Sequence, residues 1–141
     1  MYKKDNNVDF KTIKGSSFNE MVKYKENFLK MNKGIDEDSL LSIQKFICYN
    51  VKDISVSQLR NIYNLILDVK RDGDYSALSL KRIKLAYIAG RTDKYGLKNL
   101  IGFLDILFNE VGTDTDKFES LRTYAEALVA YHKYYESFKS N

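Results

Sequence analysis

The residues of this chain that could do chemistry form two sets. One is the lone histidine, His132, which sits amid Tyr124, Tyr131, Tyr134 and Tyr135 in the near-terminal stretch YAEALVAYHKYYESF. An imidazole can act as a general base or bind a metal. The other is a group of cations in the middle of the chain. At about 100° per residue, Lys81, Lys84 and Arg91 project within roughly one quadrant of a helix, with Arg82 on another side. One segment earlier, Arg60, Asn64 and Arg71 share a polar face. Clustered Lys and Arg side chains hold phosphate backbones. The same stripes also serve as plain solvated faces.

The helical spacing decides the reading of His132. Leu121, Ala125, Leu128, Tyr131, His132 and Tyr135 crowd one arc of their helix, while Glu119, Arg122, Glu126 and Lys133 form the opposite stripe at i,i+3 and i,i+4 spacing. The imidazole therefore points away from the local carboxylates that would orient it as a base, and it reads as one more packed ring. Catalysis would need a nucleophile and an orienting acid from elsewhere in the chain. The sequence names neither, so no catalytic residue is assigned. The tyrosines could stack on bases, as in single-strand binders. Within an apolar arc they read instead as core or interface packing, each buried hydroxyl needing a partner.

Positioning these groups falls to helices. The 141 residues include no proline and 7 glycines, which leaves little to break them. Phe18, Met21, Val22, Phe28 and Leu29 recur at helical spacing, predicting a helix over Phe18 to Met31 that ends at Asn32 to Gly34. Asp36, Glu37 and Asp38 suit the first turn of the next, whose face is Leu40, Ile43, Ile47 and Val51. A third opens on a capping box, Ser55 with Gln58, and buries Leu59, Ile62, Ile66 and Val69, before a turn centred on Gly73. In the fourth, Leu80, Ile83, Tyr87 and Gly90 form one apolar face and Leu85 and Ile88 fall roughly opposite. Such a helix is either central in its bundle or touches a neighbouring protomer. Leu97, Leu100, Ile101, Leu104, Leu107, Phe108 and Val111 make a fifth. Thr113 to Asp116 then cap a long last helix to about Phe138. The expected architecture is all-α, a compact bundle of five or six helices. Residues 1–16, polar and aperiodic, are read as a flexible basic arm, and 17–141 as one helical domain.

Composition excludes several classes. One cysteine and one histidine cannot build a zinc site on Cys/His spacing, and Asp72 to Asp74 lack the rest of an EF-hand loop. Glycine-rich phosphate loops and nucleophile elbows are absent from the sequence. No cofactor or metal is expected. Cys48 lies in an apolar periodic stretch and reads as a small hydrophobe in a reduced compartment, and no run approaches membrane-spanning length, so a soluble cytoplasmic protein is expected. The net charge of +4 is uneven. Residues 1–35 carry eight Lys/Arg against four Asp/Glu, and residues 55–92 seven against three; 36–54 and 93–141 each lean acidic. A basic middle suits a polyanionic partner.

Three stretches in order carry a resemblance: SVSQLRNI (Ser55 to Ile62), LKRIKLAYIAGR (Leu80 to Arg91) and YAEALVAYHKYY (Tyr124 to Tyr135). Together they resemble the small subunit of type III-A CRISPR–Cas effectors, the Csm complexes, over residues 55–138. The resemblance implies a small, helical, non-catalytic protein. Its copies would stack beside the backbone subunits and hold the guide RNA–target RNA duplex by its phosphates. It carries Arg60 from the first motif, Arg82 and Arg91 from the second, and Lys133 from the third as RNA-binding residues; Lys81 and Lys84 join them from the basic stripe. Where the family often ends on a glycine pair, this chain has ESFKSN. The implied partners are guide RNA, target RNA, other Csm-type subunits and further copies of the chain. Two rival readings stay open at this point: a helical homo-oligomeric adaptor without nucleic acid, and an enzyme built on His132 or a carboxylate pair.

Overall fold

A computed structural model describes residues 17–138; the basic arm expected over 1–16 lies outside the described residues. Five long helices dominate: α1 (Glu37–Asn50), α2 (Val56–Asp72), α3 (Leu78–Gly90), α4 (Tyr95–Val111) and α5 (Thr115–Ser137). The all-α expectation holds, and among the described residues there is no strand. Three of the helices start where a short polar side chain can take an orphan backbone N–H. Asp36 accepts from Ser39 N at α1, and Asp114 from Lys117 N at α5. At α2 the capping box closes in both directions: Ser55 Oγ accepts from Gln58 N at 3.0 Å, and Gln58 Oε1 from Ser55 N at 2.9 Å. Gly73 ends α2 in the left-handed region, φ +75°, where a side chain would be strained.

The central element is α5, which packs against α1, α2, α4 and the 3₁₀ turn Met31–Lys33. Phe118, Leu121, Tyr124, Ala125, Leu128 and Tyr135 of α5 are buried, as are the expected Leu59, Ile62, Ile66 and Val69 of α2. At the start of α4, Gly96 lets the helix press onto the end of α1. A Cβ there would overlap the side-chain oxygen of Asn50, whose amide is itself tied to the Phe46 carbonyl at 2.7 Å.

The single helix expected over Phe18 to Met31 is instead broken into helical residues 17–22, the turn Lys25–Phe28 and the 3₁₀ turn Met31–Lys33. The break has a local and a distant cause. Lys23 N and Tyr24 N reach back only three residues, to Glu20 O and Met21 O, which tightens the chain. Asn27 then bonds Asp36 Oδ1 and Ser39 Oγ, and Asn32 exchanges two hydrogen bonds with Ser120 of α5. So folded, the segment lays Met21 and Phe28 against Tyr124. The Tyr124 hydroxyl donates to Met21 Sδ at 3.3 Å, and burial pushes its pKa well up.

Helix α3 is the outlying member. It packs on α4 and α2 and buries only Leu78 and Leu85 fully. The face of Leu80, Ile83 and Tyr87 is turned outward, each side chain 65–69% exposed. Of the two positions expected for a helix apolar on both sides, the centre of the bundle is therefore ruled out.

Candidate nucleic-acid interface

The short turn at Gly73 folds α3 back along α2 in the antiparallel sense, so that Gln58 near the start of α2 faces Arg91 past the end of α3, and Leu65 faces Ile83. Between them runs an open cleft. Its upper part, about 380 Å³, is lined by Gln58, Asn61, Tyr87, Ile88, Arg91 and Thr92. Lower down, Lys84 joins Asn61, Leu65 and Ile83. The upper end opens toward Lys52, Asp53, Asp93, Lys94 and Glu136. Two backbone bonds set the position of Arg91: its own N–H to Ile88 O, and the next, Thr92 N to Ala89 O. Lys98 Nζ donates to Ala89 O at 3.1 Å and so fastens the end of α3 to α4.

The expected RNA-binding cations separate into distinct environments. Arg91 and Lys84 are exposed and share the cleft. The Arg91 guanidinium carbon lies 5.5 Å from the Tyr87 ring centroid, a cation–π distance, and Nη1 donates to the Tyr87 hydroxyl at 3.4 Å. Lys81 is half-buried on the same helix. Arg60 is exposed on α2, about 100° of helix away from the cleft-lining Asn61. Lys133 is exposed on α5, one turn before Glu136. Among the described residues none of these five enters an ion pair.

Arg82 differs. It turns toward α4 and binds Asp105 in a bidentate pair, Nε to Oδ1 at 2.6 Å and Nη2 to Oδ2 at 2.9 Å, with Nη1 on Asn109 Oδ1 at 3.2 Å. The pairing raises the Arg82 pKa and holds the Asp105 carboxyl below its ordinary value. Arg71, placed with Arg60 on the polar face of α2, is likewise engaged, with Asp68 and Asp72. On α5 the expected charge stripe is present. Burial pushes the Glu119 pKa up, but hydrogen bonds from Lys70 and Arg122 outweigh it and leave the carboxyl lowered.

His132 is fully buried, as its arc implied, and it does more than fill space. Its Nε2 contacts the carbonyl of Ile54, the residue before the α2 cap. A carbonyl only accepts, so Nε2 is the donor in this contact. Nδ1 is buried without a partner. Nothing in this arrangement presents the imidazole to a substrate. Among the described residues no group of three or more His, Cys, Asp or Glu is placed to hold a metal, and no helix is long and apolar enough to cross a membrane.

Tyr87, Gln58 and Asn61 were not among the residues expected at the site. The signal for them was the i,i+3 spacing of Gln58 and Asn61 and the i,i+4 spacing of Tyr87 and Arg91, which only the antiparallel register brings face to face.

These features define a class of protein: a small all-helical bundle with an open cleft of mixed polar and apolar lining and an outward apolar helix face. Residues 35–137 match the family model described as Csm2 Type III-A. The chain belongs to that family, the small subunit of type III-A Csm complexes. The match begins ahead of α1, so it extends further toward the N-terminus than the three motifs over 55–138 did. No curated protein and no solved structure matches the chain.

Proposed function

We propose that this small subunit is a non-catalytic, cytoplasmic component that holds the backbone of the guide RNA–target RNA duplex within a type III-A effector, standing beside other Csm subunits and further copies of itself. The observation that carries the reading is the inequality among its cations. Arg60, Lys84 and Arg91 are exposed with no ion pair among the described residues, whereas Arg71 and Arg82 are already met by carboxylates. Unpaired cations release counterions from a phosphate backbone without first giving up a carboxylate partner. Base pairing between guide and target carries the sequence specificity, and the protein contributes position and charge. Lys81 and Lys133 extend the set. Arg82 belongs to it as the member whose charge is most nearly spent.

The test is RNA affinity against salt. Arg60→Ala, Lys84→Ala and Arg91→Ala should each weaken binding evenly across target sequences and flatten the log–log salt slope by about 0.7–0.9 for each phosphate no longer neutralised. Arg82→Ala should flatten it least. A loss confined to particular target sequences, or a slope untouched by all three, refutes the reading. One observation favours a second reading, an adaptor without nucleic acid: Leu80 and Ile83 stand 66% and 69% exposed on one face of α3. That reading gains if RNA binding shows no salt dependence while Ile83→Asp abolishes association with a second protein chain.

A further inference from the structure

The upper part of the cleft differs from a simple track for phosphates. Its wall is Tyr87, 65% exposed, with the Arg91 guanidinium held over the ring. An exposed aromatic paired with a planar cation offers a surface on which a nucleobase stacks without regard to its identity. Ile88, half-buried, lines the same cleft. Across the cleft stand two amides. Gln58 lines the cleft with its Oε1 accepting the capping bond from Ser55 N, and its NH₂ group can only donate. Asn61 is exposed and has both a donor and an acceptor to give. Stacking wall, apolar lining and amide rim lie within one cleft of about 380 Å³, inside the range of roughly 300–1,000 Å³ usual for small-ligand sites.

We infer that this cleft receives one unstacked base, from a nucleotide left unpaired in the bound RNA. The base lies on the Tyr87–Arg91 pair, with an acceptor edge toward the Gln58 amide and Asn61 beside it. The inference rests on the proposed backbone binding, because Lys84 lower in the cleft and Arg60 around α2 supply the charge that brings the strand there. It adds an element that phosphate binding alone lacks. A paired base has its edge occupied and its faces stacked, so the cleft separates single-stranded from fully paired RNA.

The experiment uses the full chain with three probes of equal length: a single-stranded oligouridylate, the same backbone with abasic sites, and a fully paired RNA duplex. Wild type should bind the oligouridylate about tenfold more tightly than the abasic strand, the effect expected of one stacked base. Tyr87→Ala should erase that ratio while leaving the salt slope unchanged, and Tyr87→Phe should keep it, since the ring remains. Both variants should melt with the wild type, because Tyr87 is an exposed side chain. If RNA binds with a normal salt slope but abasic and normal strands bind equally, or Tyr87→Ala preserves the ratio, the base site is overturned and the backbone reading stands. If no strand binds in a salt-dependent way, both fall.

Discussion

Replacing His132 with phenylalanine separates a histidine that works on RNA from one that holds the fold. The imidazole is completely buried, and its Nε2–H is the donor to the Ile54 carbonyl, on a residue itself 1% exposed. A phenyl ring offers no donor, so a buried carbonyl loses its partner, at a cost of about 1–3 kcal/mol. The larger ring enters a site with no free surface, and overpacking of this kind costs about 1–3 kcal/mol. One term opposes these. Nδ1 is buried without a partner in the wild type, and the substitution removes that desolvated nitrogen. The net expectation is a loss of about 2 kcal/mol, which for a chain of this size lowers Tm by about 6 °C. His132→Gln, which keeps an N–H near the same place, should recover part of the loss. Thermal unfolding followed by far-UV circular dichroism measures the shift. RNA affinity, measured well below the melt, should not change. A variant that melts like wild type yet loses RNA binding would refute the packed, structural role.

Two other substitutions probe the contacts that seat α4. Gly96→Ala places a methyl group on the Asn50 side-chain oxygen, with Asp53 Cβ a further 3.3 Å contact, and Asn50 is buried and bonded to Phe46, so it has nowhere to turn. Overpacking should outweigh the helix-propensity gain of about 1 kcal/mol and leave a net loss of about 1–2 kcal/mol, read as a lower urea midpoint at unchanged m. Asp105→Asn tests the clamp on α3. Arg82 holds the Asp105 carboxyl below its ordinary 3.8, so the pair's contribution is present above that value and is lost as the pH falls through the lower, folded one. Wild type should therefore melt above the variant at neutral pH, and the gap should close in acid; a gap that persists or widens there contradicts the assignment.

Features set by a few neighbouring residues were readable from sequence. The Ser55–Gln58 capping box, the glycine stop at Gly73 and the Leu59, Ile62, Ile66, Val69 stripe each depend on spacings of three or four residues, and each is present. His132 fell on the buried side for the same reason. Features that depend on register between helices were not readable. The Arg82–Asp105 pair spans 23 positions and the Asn32–Ser120 exchange 88, and periodicity cannot say which turn of one helix meets which turn of another. The broken first segment follows from that second contact and from Asn27 on Ser39. The cleft exists only because a turn of fixed length sets α3 antiparallel to α2.

The peculiarity of α3 then has a physical explanation. A helix that fully buries only Leu78 and Leu85 gains little from the core. Polar contacts to α4 supplement those two leucines: the bidentate Arg82–Asp105 pair at one flank, and Lys98 on the Ala89 carbonyl at its end. Those clamps leave the rest of the circumference uncommitted. Leu80 and Ile83 can face outward as an apolar surface, and Lys84 and Arg91 can line the cleft beside them, without weakening the helix's own attachment. If α3 had been fixed by a broad apolar face, these side chains would have been spent on the fold. The Arg82–Asp105 pair thus helps to fix α3 while Lys84 and Arg91 stay free of ion pairs among the described residues and line the cleft.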